Sequence, residues 1–183
     1  ELATRMVALG TAAGVKTTAL LTNMDTPLGL TAGNALEVTE SVEVLAGGGP
    51  ADIVELTLAL AREMVQSAGV DIDPADKLAD GSAMDVWKAM IRAQGGDPDA
   101  PLPVAKHSLD IVADRGGVLE SLDAMAVGLA AWRLGAGRAR KEDPVQAGAG
   151  VVLHAKPGDQ VVAGAPLLTL HTDTPEAFAR AEA

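Results

Sequence analysis

The run Lys16-Thr17-Thr18-Ala19-Leu20-Leu21-Thr22 does most to limit what this chain can fold into. It reads as a strand, entered from a helix in which Leu2, Met6, Leu9 and Ala13 recur at helical spacing and Gly14 is the stop. The main-chain N–H and C=O groups of a strand need neighbours, yet no other strong strand candidate follows before Lys106. Either later strands return to pair with it, or its partners lie upstream of Glu1 in a longer chain. The sequence opens without Met, in mid-helix pattern, and the second expectation is the one adopted: the later part of a larger enzyme.

Beyond this run comes the turn-rich segment Asn23 to Gly29, then a helix from about Asn34 to Ala46. Helix, strand and helix in alternation indicate a layered α/β domain with a largely parallel sheet. Gly47-Gly48-Gly49-Pro50 breaks the pattern, and a helix from about Ala51 to Ala68 follows, with Pro50 and Asp52 suited to its start. Ile53, Leu56, Leu60 and Met64 form a stripe that Val54, Leu58, Ala61 and Val65 widen, so cover on more than one side is expected. Asp73-Pro74 opens a short helix to about Ala79. Ser82 is placed to cap another running to Ala93, with Val86, Trp87, Met90 and Ile91 on its buried side.

Gly95 to Pro103 reads as a linker, and the texture then changes. Lys106 to Ala113 and Val118 to Ser121 suit strands, Asp123 can cap a helix through Leu134, and Gly135-Ala136-Gly137 ends it. Short strands follow around Val151–His154, Gln160–Val162 and Leu167–Leu170, then a helix over Pro175–Ala183. The expected class is α/β: residues 1–103 as the remainder of a large mixed-sheet α/β domain, mostly helical with one strand, and residues 104–183 as a smaller α+β module.

Composition removes several classes of partner. Trp87, Trp132 and Phe178 are the sole aromatic residues and the formal charge is −11, so neither a stacking platform nor a positive field for nucleic acid is available. There is no cysteine, which fits a reducing, cytoplasmic setting. No uncharged apolar run approaches the roughly 20 residues of a membrane helix, and Glu1 to Arg5 does not begin a signal peptide.

His107, His154 and His171 are scattered and lack metal-binding spacing, and Asp71 with Asp73 and Glu142 with Asp143 read as solvated cap and loop residues. Thr22 to Glu40 is the richest segment, because ligands of α/β proteins gather where a loop leaves the carboxyl end of a strand. Gly29 and Gly33 allow close backbone approach, and carbonyls beside a carboxylate can hold a hard cation; a hard-metal hydrolase using Asp25 and Glu40 is a competing expectation. No Walker or GxGxxG pattern is present, and Gly47–Gly49 follows a helix, as a helix–helix turn does.

Ala19 to Gly29, Gly33-Asn34-Ala35-Leu36-Glu37-Val38 with Glu40, and Gly47 to Asp52 resemble the pyrimidine-nucleoside phosphorylases, most closely those that cleave thymidine. The likeness returns at Ile111-Val112-Ala113, Gly116-Gly117-Val118, Asp123-Ala124, Gly128, Leu134 to Arg138, Lys141 to Pro144 and Gly150 to Val161. An aspartate is common in the family where Gln146 stands. The resemblance implies dimers of long subunits with a small helical and a larger α/β domain around a closing cleft, which use inorganic phosphate as co-substrate and no organic cofactor. Their phosphate- and base-binding residues match positions before Glu1, so no catalytic residue carries over, and the piece alone is expected to be inactive. Leu28 and Thr31, through carbonyls, and Glu40, through its carboxylate, match positions that bind a monovalent or other hard cation in some relatives, with the rest of that shell from upstream. Met6 matches an apolar residue of the pyrimidine pocket. Residues 104–183 resemble the family's C-terminal module, of barrel-sandwich or hammerhead type. Gly158-Asp159-Gln160-Val161 also looks like a biotinyl or lipoyl carrier, with Lys156 beside the turn, which leaves a non-enzymatic scaffold or carrier as the alternative.

Overall fold

The computed structural model describes residues 1–182. Helix α1 spans Leu2–Ala12, and the chain then runs through residues 15–24 without regular secondary structure. Here the expected strand is not formed. Residues 16–22 exchange no main-chain hydrogen bond with any described residue. Apolar and β-branched side chains favour an extended backbone, but a strand exists only as half of a pair, and no described residue supplies the second half.

The first strand is instead β1, Thr31–Ala32, followed by α2 at Asn34–Leu45, α3 at Ala51–Ser67, α4 at Pro74–Ala79 and α5 at Ser82–Ala93. The helices lie close to their expected bounds, but their packing differs. No residue of α1, α3 or α5 is buried: Leu9 is 74% exposed, Met64 68% and Val86 69%. The stripes of α3 and α5, read as interior faces, are only partly covered among the described residues: Ile53, Leu56, Trp87 and Ile91 are half-buried, while Leu60, Met64, Val86 and Met90 remain exposed. The cap of α5 is also corrected, since Asp80 accepts hydrogen bonds from both the amide and the hydroxyl of Ser82 rather than Ser82 capping. These bonds, with Lys77 beside them, hold the Asp80 carboxyl at about 2.

The later half provides β2 at His107–Val112, β3 at Gly117–Val118 and α6 at Ala124–Ala131. A π-turn at Trp132–Ala136 extends α6. Then come β4 at Gly150–Leu153, β5 at Gln160–Val161 and β6 at Pro166–Thr172. A 3-10 turn at Pro175–Ala177 leads into α7, Phe178–Ala181; the last residue of the expected terminal helix, Ala183, lies outside the described residues. Asp123 caps α6 as expected, accepting from the Ala126 amide at 2.8 Å.

The main sheet has the order β1-β4-β6-β2, and β3 pairs with β5 in a second, two-stranded sheet. Every ladder is antiparallel, so the parallel pairing expected of the front segment is absent from the described residues. Leu170 of β6 sits opposite Leu109 and Val151. Leu168, Leu170 and Thr172 turn inward, and the period-2 alternation of a strand places Thr169 and His171 on the other face. The interior gathers Val127, Ala131, Leu134, Ala149, Val151, Leu153 and Leu170 between that face and α6.

Strand pairing and a close glycine contact help tie the earlier half to this sheet. β1 adds itself to the edge of β4, with Thr31 opposite Val152. Beside it Gly33 and Gly150 approach so closely that a Cβ on Gly33 would strike the Ala149 carbonyl and one on Gly150 the Ala32 carbonyl. The position read as a minor departure, Gln146, is also busier than its place in a loop suggests. Its Oε1 accepts from the Asp173 amide at 2.7 Å and lies 3.1 Å from the fully buried Thr172 hydroxyl, while its Nε2 donates to Thr174 at 2.9 Å. An aspartate carries no N–H to donate to Thr174.

Candidate functional site

Between Asn23 and β1 the chain has no regular structure, so its shape is imposed from outside by three polar side chains. Glu40 projects from α2 and is 6% exposed. Its carboxylate accepts from the Leu30 amide at 2.7 Å and the Thr31 hydroxyl at 3.0 Å. Asp52, in the first turn of α3, accepts from the Gly29 amide at 3.1 Å. Lys156 reaches over from the turn after β4, donating to the Pro27 carbonyl at 2.8 Å and to Asp52 at 2.5 Å. Gly29 is required where it stands: its φ is +68°, and a Cβ there would run into the Glu40 carboxylate and Ile53.

Leu28, Thr31 and Glu40 are thus brought into one small region, and the donor set is chemically uniform. Both of Glu40's oxygens already take protein donors, whereas the Leu28 carbonyl receives no hydrogen bond among the described residues. Carbonyl and carboxylate oxygens are the donor types a hard cation takes. The hydrolase expectation is not supported: Glu40 is engaged with the loop, and no cluster of three His, Cys, Asp or Glu side chains is placed to hold a metal among the described residues. Met6 is not brought to this region. It is 59% exposed on α1 and does not line the cleft of about 600 Å³ formed by Leu20–Asn23, Thr26–Leu28, α3 and Lys156.

Of the histidines, His154 bonds Thr169 at 2.7 Å, which in turn donates to Asp110 at 2.7 Å. His171 is near them; burial pushes its ring below the ordinary value, opposed by the Asp110 charge. His154, Thr169 and Asp110 form a hydrogen-bond chain on the sheet, and no metal cluster is formed among the described residues.

Sequence reasoning missed the Asp52–Lys156 pair. Asp52 was legible as a helix-start residue and Lys156 as a turn neighbour, but nothing in the sequence joins residues 104 positions apart. The pair also overturns the carrier reading, since a carrier lysine must stand free at a hairpin tip, while this ammonium is bound and its side chain only 23% exposed.

Partial burial pushes the Asp52 carboxyl up, but the Lys156 ammonium and the Gly29 amide more than offset this and hold it below the ordinary range. A carboxylate whose folded pKa is depressed contributes stability that is fully present above the unfolded value, near about 4, and is lost as pH falls through the folded value. The Gly29 amide resonance is therefore expected to titrate with a midpoint below that of an ordinary aspartate in an acid NMR titration. A midpoint above it would show that desolvation dominates.

Residues 118–183 match the family model described as the pyrimidine nucleoside phosphorylase C-terminal domain. The whole chain is 58% identical to a thymidine phosphorylase of Mycobacterium tuberculosis, of which it covers 43%. It is 40% identical to a pyrimidine-nucleoside phosphorylase of Bacillus subtilis over 94% of the chain and 43% of that protein. To the Geobacillus stearothermophilus pyrimidine-nucleoside phosphorylase it is 41% identical, over 94% of the chain and 42% of that protein. The chain therefore spans less than half the length of these relatives.

Proposed function

We propose, from the match of residues 118–183 to the pyrimidine nucleoside phosphorylase C-terminal domain model and from the likeness of the whole chain to a thymidine phosphorylase, that the protein acts as the C-terminal part of an enzyme cleaving thymidine, or pyrimidine nucleosides more widely, with phosphate. The products are the free base and 2-deoxyribose 1-phosphate. The observation that carries this reading is the 58% identity, over all of the chain, to a protein named thymidine phosphorylase. The main chain of residues 16–22, unpaired among the described residues, supports it, because a strand-prone segment between two helices is left without partners when a sheet's other strands are supplied elsewhere.

In the complete enzyme, phosphate bound by residues outside this chain attacks C1′ with inversion, and fixed donors stabilise charge on the departing pyrimidine. Closure of two domains excludes water. This chain contributes scaffold rather than catalytic groups. Met6, apolar and accessible on α1, forms part of the pyrimidine pocket wall; Leu28, Thr31 and Glu40 supply part of the shell of a hard monovalent cation, which would fix their loop when bound. Residues 1–103 belong to the large α/β domain and residues 104–183 form a barrel-sandwich or hammerhead module. The full protein is a cytoplasmic homodimer; none of the described helices is long and apolar enough to cross a membrane.

The test is release of thymine from thymidine and phosphate. The full-length protein should form thymine and 2-deoxyribose 1-phosphate in equal amounts, and residues 1–183 alone should form none. Turnover by residues 1–183 alone at an ordinary enzyme rate, roughly 1 s⁻¹ or more, would refute the assignment of scaffold roles.

A further inference from the structure

Lys156 is held rigidly before its side chain begins. Its amide donates to Asp159 at 2.7 Å, its carbonyl accepts from the Asp159 amide at 3.0 Å, and Gly158 and Asp159 are bonded to Leu119. From this fixed turn the ammonium crosses to a loop 129 residues earlier, meeting the Pro27 carbonyl at 2.8 Å. It also meets the same Asp52 oxygen that accepts from Gly29. Three residues after Pro27, the Leu30 carbonyl accepts from the Leu153 amide at 2.7 Å. The carbonyls on either side of the Leu28–Gly29 pair are thus tied down from the later half of the chain, and the Leu28 carbonyl between them receives no donor among the described residues.

We propose that Lys156, paired with Asp52, is a positioning residue that clamps the Pro27–Leu30 loop from the C-terminal module and presents the Leu28 carbonyl to a hard monovalent cation. The cation half of this inference rests on the function proposed above; the clamp half does not. A flexible loop visits many carbonyl orientations, and a cation site needs a few held at once, so fixing the flanking carbonyl from a rigid turn lowers the cost of assembling the site. Lysine suits the task because its ammonium serves a carbonyl and a carboxylate together.

The test uses full-length protein carrying Lys156→Met or Asp52→Asn, read in two ways. Hydrogen exchange of the peptide covering residues 25–31 should accelerate about tenfold or more, the scale set by losing a charge-assisted hydrogen bond, while the β4 and β6 peptides keep their protection. The potassium concentration giving half-maximal phosphorolysis should rise at least about fivefold, with kcat at saturating potassium recovering to within about twofold, as loss of preorganisation predicts. Lys156→Arg, which keeps a cationic donor for the Pro27 carbonyl and for Asp52, should keep most of the wild-type exchange and potassium response, and Lys156→Gln stands in if Lys156→Met fails to fold. Unchanged exchange at residues 25–31 would overturn the clamp. Faster exchange with an unchanged potassium response would overturn its link to the cation. If the wild-type protein shows no phosphorolysis, the proposed function falls, and exchange alone still judges the clamp.

Discussion

Replacing Leu134 by alanine is expected to lower stability by about 3–5 kcal/mol, the upper range for a leucine deleted from a packed interior. Leu134 is fully buried, packs among Val127, Ala131, Val151 and Leu170, and lies on the π-turn that closes α6 against the sheet. Its carbonyl also receives the Thr172 hydroxyl at 2.7 Å, so movement of the turn to fill the cavity would strain a buried hydrogen bond. Urea unfolding followed by circular dichroism measures the loss. The matched control is Leu9→Ala on α1: Leu9 is 74% exposed, and its truncation should change stability by less than about 0.5 kcal/mol. Comparable losses at the two leucines would mean that α1 has an interior face within this chain, contrary to the packing described.

Glu40→Ala is the second large effect, expected at about 2–4 kcal/mol. The carboxylate is nearly fully buried and serves the Leu30 amide and the Thr31 hydroxyl. Removing it leaves two donors without a partner at roughly 1–3 kcal/mol each, partly relieved by water entering from the open side of the loop. Glu40→Gln should cost less, about 1–2 kcal/mol, because one side-chain oxygen remains while an amide NH₂ faces a donor. Exchange of the amides from Leu30 to Ala32 should rise in both variants, more in the alanine one. Wild-type exchange in the alanine variant would show that the loop holds its shape without Glu40.

The later half of the chain was the more legible. The strands around residues 151–154 and 167–170 are short apolar runs bounded by turn sequences, and Asp123 stands where a helix needs an acceptor. Local chemistry decides such features, so local sequence reports them. The earlier half was legible in conformation and misread in packing. The stripe Ile53, Leu56, Leu60 and Met64 marks a face made to be covered, but periodicity cannot say whether the cover lies in the same 183 residues. The same holds for residues 16–22, whose composition favours an extended backbone while pairing depends on what else is present. In the candidate site, Glu40 and the loop were legible because they are neighbours along the chain. Asp52 with Lys156, and Gln146 with Thr172 and Thr174, depend on how distant segments meet, and single residues of common types carry no mark of that.

Amide exchange at Thr17 to Leu21 tests the central claim most directly, measured in residues 1–183 and in the full-length protein. Unpaired main chain in water exchanges near the rate of an unfolded peptide, whereas a central strand is protected by several orders of magnitude. The account predicts no protection in the shorter protein and strong protection in the full-length one. Strong protection of these amides in residues 1–183 alone would mean that the segment finds its partners within this chain, and the proposed dependence on the rest of the enzyme would be wrong.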